Sequence, residues 1–174
     1  MDWVVKDGFA YPGEEVKINI VVFDPQHNNL AISGAMFDMV AGDDAELVAV
    51  GDKSAYGADI LSSKDKLRLM FYDGSAQMHS AAHGSVVAEL TYKISENATP
   101  GTRIPVEITN LSAAGEKSAN IASKIYTEMG YITVLDPIVT TTTTEGTDVP
   151  GSTTTTTEST DVPGSTTSTQ SHPP

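Results

Sequence analysis

Along most of the chain up to about Asp136, apolar residues fall on every second position, the period of a strand with one buried face rather than that of a helix. The clearest case is 16–23, where Val16, Ile18, Ile20 and Val22 alternate with Lys17, Asn19, Val21 and Phe23. Trp3-Val4-Val5 opens the series, Tyr11-Pro12-Gly13-Glu14 reads as a turn, and 25–29 is a polar break. Further strands are predicted over 30–40, 46–50, 66–72, 85–94, 103–111 and 130–135, with a short piece at Ile125-Tyr126. Helical turns are expected at 75–82 or 115–123. Eight or nine strands result, most of them separated by Gly, Asp, Asn or Pro and none by a long amphipathic helix. A parallel α/β sheet is therefore disfavoured, and an all-β antiparallel sandwich of jelly-roll type is expected.

The pattern stops before Thr140. From there TTTTTEGTDVPGS (140–152) recurs as TTTTTESTDVPGS (153–165), a 13-residue repeat of Thr, Ser, Gly, Pro and scattered acids. Such a stretch cannot bury enough apolar surface to offset its chain entropy. The expected organisation is a β-sandwich domain over 1–137 and a disordered Thr/Ser/Pro-rich linker over 138–174, as in secreted proteins whose modules are spaced on a string.

Charge narrows the partners. The chain carries 23 acidic and 10 basic residues, for a net charge of −13. All Lys and Arg precede Thr140 and four acids follow it, which leaves −9 on the folded part. A surface this acidic repels nucleic acid and anionic lipid, while it can steer basic patches of a partner protein. Cysteine is absent, so disulfides and thiolate metal sites are excluded. No apolar run reaches the length of a membrane span. Met1-Asp2-Trp3 does not read as a signal peptide, so any export signal or anchor is expected outside this sequence.

Catalytic constellations are weak. Ser80, His79 or His83, and Asp73 contain the residue types of a hydrolase triad without a GxSxG elbow. His79 and His83 are spaced for zinc on one helix face, but HSAAH lacks the Glu of HExxH and a third ligand, so a polar loop is the better reading. Asp43, Asp44 and Glu46 lack the EF-hand spacing and read as a solvated turn. Asn97-Ala98-Thr99 and Asn110-Leu111-Ser112 fit the N-glycosylation pattern, although O-glycosylation of the Thr tracts is the more plausible modification. No enzyme is expected. Two other classes remain open: a carbohydrate-binding module, disfavoured by a single Trp near the start and scattered Tyr residues, and a passive spacer of a surface protein.

The order PGEEVKINIVV, ISGAMFDMVAGDDAELVAV, LRLMFYDGS, HGSVVAELTYKISENATPGTRIPVEITNLSAAG and GYITVLD, with the Thr-rich linker behind it, resembles the cohesin domain of cellulosomal scaffoldins, in flavour those of ruminal cellulolytic bacteria. The resemblance spans nearly the whole folded part. It implies a nine-stranded jelly-roll sandwich acting as a non-catalytic, monomeric docking module outside the cell. Its partner would be a Ca2+-loaded dockerin on a plant cell wall-degrading enzyme or another scaffoldin, with no cofactor in this chain. It also implies a binding face built by 30–40, 66–72, 85–94 and 103–111. Alternation then selects the side chains. Phe37, Ala35 and Met39 should point inward, leaving Gly34, Met36 and Asp38 outside; Gly34 and Met36 fall where many type I members carry Asn and Asp. Arg68 should turn its row outward with Met70 and Tyr72, and Asp73 matches an acidic contact position of the family. Val87 and Glu89 complete the expected face. Met36, Met70, Tyr72 and Val87 would form an apolar centre rimmed by Asp38, Arg68, Asp73 and Glu89.

Overall fold

The computed structural model describes residues 1–28, 30–70 and 78–137. The linker expected over 138–174, and with it the repeat, lies outside them. A compact unit spans Met1–Asp136. Its strands are β1 (Asp2–Val5), β2 (Gly8–Ala10), β3 (Glu15–Phe23), β4 (Gly34–Ala41), β5 (Ala45–Val50), β6 (Asp59–Ser63), β7 (Lys66–Met70), β8 (Val86–Ile94), β9 (Arg103–Ala114), β10 (Tyr126–Glu128) and β11 (Gly130–Val134). They form two sheets, ordered β10-β1-β3-β8-β5 and β2-β11-β9-β4-β7-β6. Pairing is antiparallel except at two edges, where β1 meets β10 and β2 meets β11 in parallel.

The all-β sandwich expected from the alternation is present, with more strands than the nine expected. Gly8–Ala10 is only three residues long, and Asp59–Ser63 carries apolar residues at Ile60 and Leu61 alone, so neither shows a period of two. Single 3-10 turns occupy Glu116–Ser118 and Ala122–Lys124, within the expected 115–123 region or next to it. The described part of 75–82 is instead extended, with Ile32 and His79 forming an isolated antiparallel bridge.

Between the sheets lies one apolar core. Trp3, Ile20, Phe37, Leu67, Val87, Ala88, Leu90 and Ile132 are fully buried. Trp3 packs edge-on against Phe37, with ring centroids 5.5 Å apart, and its Nε1–H donates to the Tyr56 hydroxyl at 3.2 Å. The indole thus gains a partner for its polar atom while burying a large apolar area. Because Trp3 is inside, it cannot serve as a sugar-stacking platform, which removes the ring that a carbohydrate-binding reading needs most. Burial pushes the Tyr56 phenol up to about 12, against the lowering effect of the Trp3 hydrogen bond.

Candidate functional site

Among the described residues, the outward face of the six-stranded sheet carries four of the nine expected contact residues, Gly34, Met36, Asp38 and Arg68. On β4 the alternation holds as expected: Ala35, Phe37 and Met39 are buried, while Met36 is 45% exposed. Gly34, opposite Ala114, and Asp38 are half-buried. On β7, Leu67 is buried and Arg68 exposed, so the guanidinium does set the facing. Register aligns these positions into rows across the strands. Ser112 of β9, Met36 of β4, Arg68 of β7 and Leu61 of β6 are successive cross-strand partners. The next row is Thr109, Asp38, Lys66 and Ser63. Directly opposed side chains lie roughly 5 Å apart, so each row is a contiguous strip.

A bulge organises the polar row. β4 and β9 slip register between Met36 and Asp38, so that Phe37 alone spans Leu111 and Asn110. Asn110 takes φ 50°, a left-handed conformation that Asn tolerates better than most residues. Its Nδ2 donates to Asp38 Oδ2 at 2.8 Å, and Lys66 Nζ donates to Asp38 Oδ1 at 2.7 Å and Oδ2 at 3.0 Å. The Lys66 hydrogen bond, then the Asn110 amide, hold the Asp38 carboxyl below the ordinary carboxylate range. Asp38 is therefore not a bare acid on the outer face but the centre of an internally satisfied node. Lys66 and Asn110 escaped the sequence reading because a pair contact between strands 28 residues apart and a bulge residue leave no local periodic signal. Leu61, 47% exposed, escaped with its strand.

At the far end of the same face, Phe9 is 65% and Val40 49% exposed. Arg103 lies 4.1 Å over the Tyr131 ring and 4.0 Å from an Asp7 carboxylate oxygen, while the Tyr131 backbone N–H donates to Asp7 Oδ1 at 2.8 Å. Stacked and paired, this arginine is engaged within the chain.

Two of the expected contact residues do not belong to this face. β8 lies between β3 and β5 in the five-stranded sheet, so Val87 and Glu89 are on the other side of the sandwich. Val87 is moreover fully buried rather than outward. β3 pairs Ile20 with Ala88 and then Val21 with Val86, which makes Val87 an extra residue in a bulge. The alternation changes phase there, and Val87 and Ala88 both turn inward. Glu89 does face outward but is held by Lys17 Nζ at 2.7 Å. Met70 ends β7 opposite Asp59; Tyr72 and Asp73 lie outside the described residues.

The catalytic alternatives gain nothing. His83 Nδ1 accepts the backbone N–H of Asp24 at 3.0 Å, which occupies one of its two ring nitrogens. The described part of the His79 to His83 segment contains no helix to align two imidazoles on one face. Asp43 and Asp44 form a turn, with the Asp44 carbonyl accepting from the Ser95 N–H at 2.9 Å. Among the described residues no group of three His, Cys, Asp or Glu is placed to hold a metal, and no helix is long and apolar enough to cross a membrane.

A family model described as the cohesin domain matches residues 1–134. Solved structures share the fold. The third ScaB cohesin of R. flavefaciens, in complex with a group 1 dockerin, aligns with a TM-score of 0.63 at 18% identity, covering 78% of this chain and 95% of that one. The sixth cohesin of scaffoldin B from Acetivibrio cellulolyticus, in complex with a mutated Cel5 dockerin, aligns with a TM-score of 0.55 at 16% identity, over 76% and 97%. A non-cellulosomal cohesin from the archaeon Archaeoglobus fulgidus aligns with a TM-score of 0.58 at 9% identity, over 78% and 91%. No curated protein matches the chain.

Proposed function

The chain belongs to the cohesin domain family, and from that premise we propose that residues 1–137 form a non-catalytic docking module whose ligand is a Ca2+-ordered dockerin. The observation that carries the reading is the strip Ser112, Met36, Arg68 and Leu61, an exposed apolar pair around a cation on the outer face of the six-stranded sheet. Beside it, the Asp38, Lys66 and Asn110 node is already satisfied. An apolar centre with a polar rim on a preformed sheet is the composition of a specific protein interface. Several cohesins of the same fold are solved with dockerins bound, which supports the partner class.

In this reading the module works outside the cell as a monomer. Residues 138–174 act as a solvated spacer that holds it apart from neighbouring modules, and the dockerin brings a plant cell wall-degrading enzyme or a second scaffoldin to the assembly. Met36 in place of a carboxylate favours an apolar, adaptable contact, so the chain should discriminate against dockerins that select type I cohesins through Asn and Asp at these positions. Calorimetric titration against a dockerin panel from ruminal and clostridial sources, with Ca2+ and again with EDTA, tests the proposal. Tight one-to-one binding that disappears on chelation is expected. Silence across the panel from folded protein, followed by binding to a polysaccharide, would replace it with the carbohydrate-binding alternative.

A further inference from the structure

Both arginines of the chain stand on the outer face of the six-stranded sheet, and they are in opposite states. Arg103 is stacked on Tyr131 and close to Asp7. Arg68 is exposed and has no ion pair among the described residues. Its cross-strand neighbours are Met36 on one side and Leu61 on the other, and the nearest carboxylate in the adjoining row, Asp38, is already held by Lys66 and Asn110. A partner that covers Met36 and Leu61 must also cover the guanidinium between them. Covering a cation without giving it an acceptor costs more than the adjoining apolar contacts return. Among the described residues, the carboxylate of the other adjoining row, Asp59 opposite Met70, is likewise held, by Lys53.

We propose that Arg68 selects the partner: the docking surface that fits this face carries a carboxylate, Asp or Glu, set among apolar side chains so that it meets the Arg68 guanidinium between Met36 and Leu61. This rests on the docking reading and deepens it. Arginine suits the role because its planar fork binds a carboxylate through two parallel hydrogen bonds and is more weakly hydrated than an ammonium. The requirement is local. The folded part carries a net charge of −9, which opposes an acidic partner at long range, so an acid tolerated at the contact must be one that Arg68 engages directly.

The test uses the full chain and whichever dockerin binds it in the panel titration. Arg68→Glu is expected to weaken binding at least about tenfold, and Arg68→Gln by less. Between about 50 and 500 mM NaCl, the salt dependence of affinity should become shallower in Arg68→Gln. Lys124→Glu, an equal change of net charge on an exposed 3-10 turn away from the sheet face, should leave affinity within about twofold, separating local contact from overall charge. Reversal of a single Asp or Glu of the dockerin to Arg should restore binding to Arg68→Glu. Wild-type binding with an unchanged affinity for Arg68→Glu, or equal losses for Arg68→Glu and Lys124→Glu, overturns this inference and leaves the docking reading standing. If Met36→Asp and Arg68→Glu both bind like the wild type, the docking face itself is wrong. Absence of binding by every dockerin overturns both.

Discussion

The two sheets of the sandwich present faces that handle their polar and apolar groups differently. On the five-stranded sheet the lysines of β3 and β8 are answered within the chain: Lys17 holds Glu89 at 2.7 Å, and Lys93 Nζ donates to the Gly13 carbonyl. Exposed apolar residues sit at its margins, Phe23 at a strand end against the His83 ring and Val48 on edge strand β5. On the six-stranded sheet Met36 and Leu61 flank an exposed arginine at the middle of the strips, and Phe9 and Val40 extend the apolar surface toward β2. A face whose cations are satisfied internally gains little from a partner. One that leaves apolar area and a cation uncovered gains both burial and pairing when covered.

Experiments can break this contrast at several strengths. The largest effect belongs to the support shared by both faces: Trp3→Ala removes the indole between Phe37 and Tyr56 and is expected to cost about 3–5 kcal/mol in urea denaturation. A loss below about 1 kcal/mol would mean that the two sheets are not held by one core. Next, Met36→Asp should weaken dockerin binding by about 2–3 kcal/mol with the fold retained, whereas Thr91→Asp on the opposite sheet should leave it unchanged. Equal effects from the two would erase the distinction between faces.

Titration separates interior from surface. The Tyr56 phenol is raised from 10.0 to about 12 in the folded state, so the fold binds that proton more tightly than the unfolded chain. The resulting stability is complete below pH 10 and is lost as pH climbs toward about 12; it amounts to about 3 kcal/mol. Tyr56→Phe should flatten that alkaline limb in pH-dependent denaturation. Asp38 runs the other way. Its carboxyl is lowered from 3.8 by Lys66 and Asn110, so its contribution is present above pH 3.8 and lost as pH falls through the folded value. Asp38→Asn should blunt the acid limb slightly and no more, because the node lies at the surface. The smallest change is expected for Tyr92→Phe. The Tyr92 hydroxyl is buried and has no hydrogen-bond partner among the described residues, so its removal should leave stability unchanged or raise it by up to about 1 kcal/mol, read as a shift in Tm. A clear loss would reveal a partner for that oxygen.

The legibility of the two faces from sequence was unequal. On β3, β4 and β7 strict alternation assigned inside and outside side by side, and Phe37, Met36, Leu67 and Arg68 stand where that period puts them. On β8 the same logic succeeded for Leu90, Tyr92 and Lys93 but failed at Val87, because one extra residue in a bulge reverses the phase for everything on one side of it. The assignment of Glu89 to the docking face failed for a different reason: its side chain points outward, but from the other sheet.

By itself, the sequence determined the all-β class, most strand positions, the side of each regular strand that enters the core, and the acidic balance, since all of these follow from composition or from a period of two within a single strand. Tertiary structure alone decided which strands share a sheet, and so that Leu61, Lys66 and Asn110 join Met36 and Arg68 while Val87 and Glu89 do not. Those neighbours are set by pairing between strands far apart in the chain and by bulges that shift register by one residue, and neither leaves a mark in the local pattern.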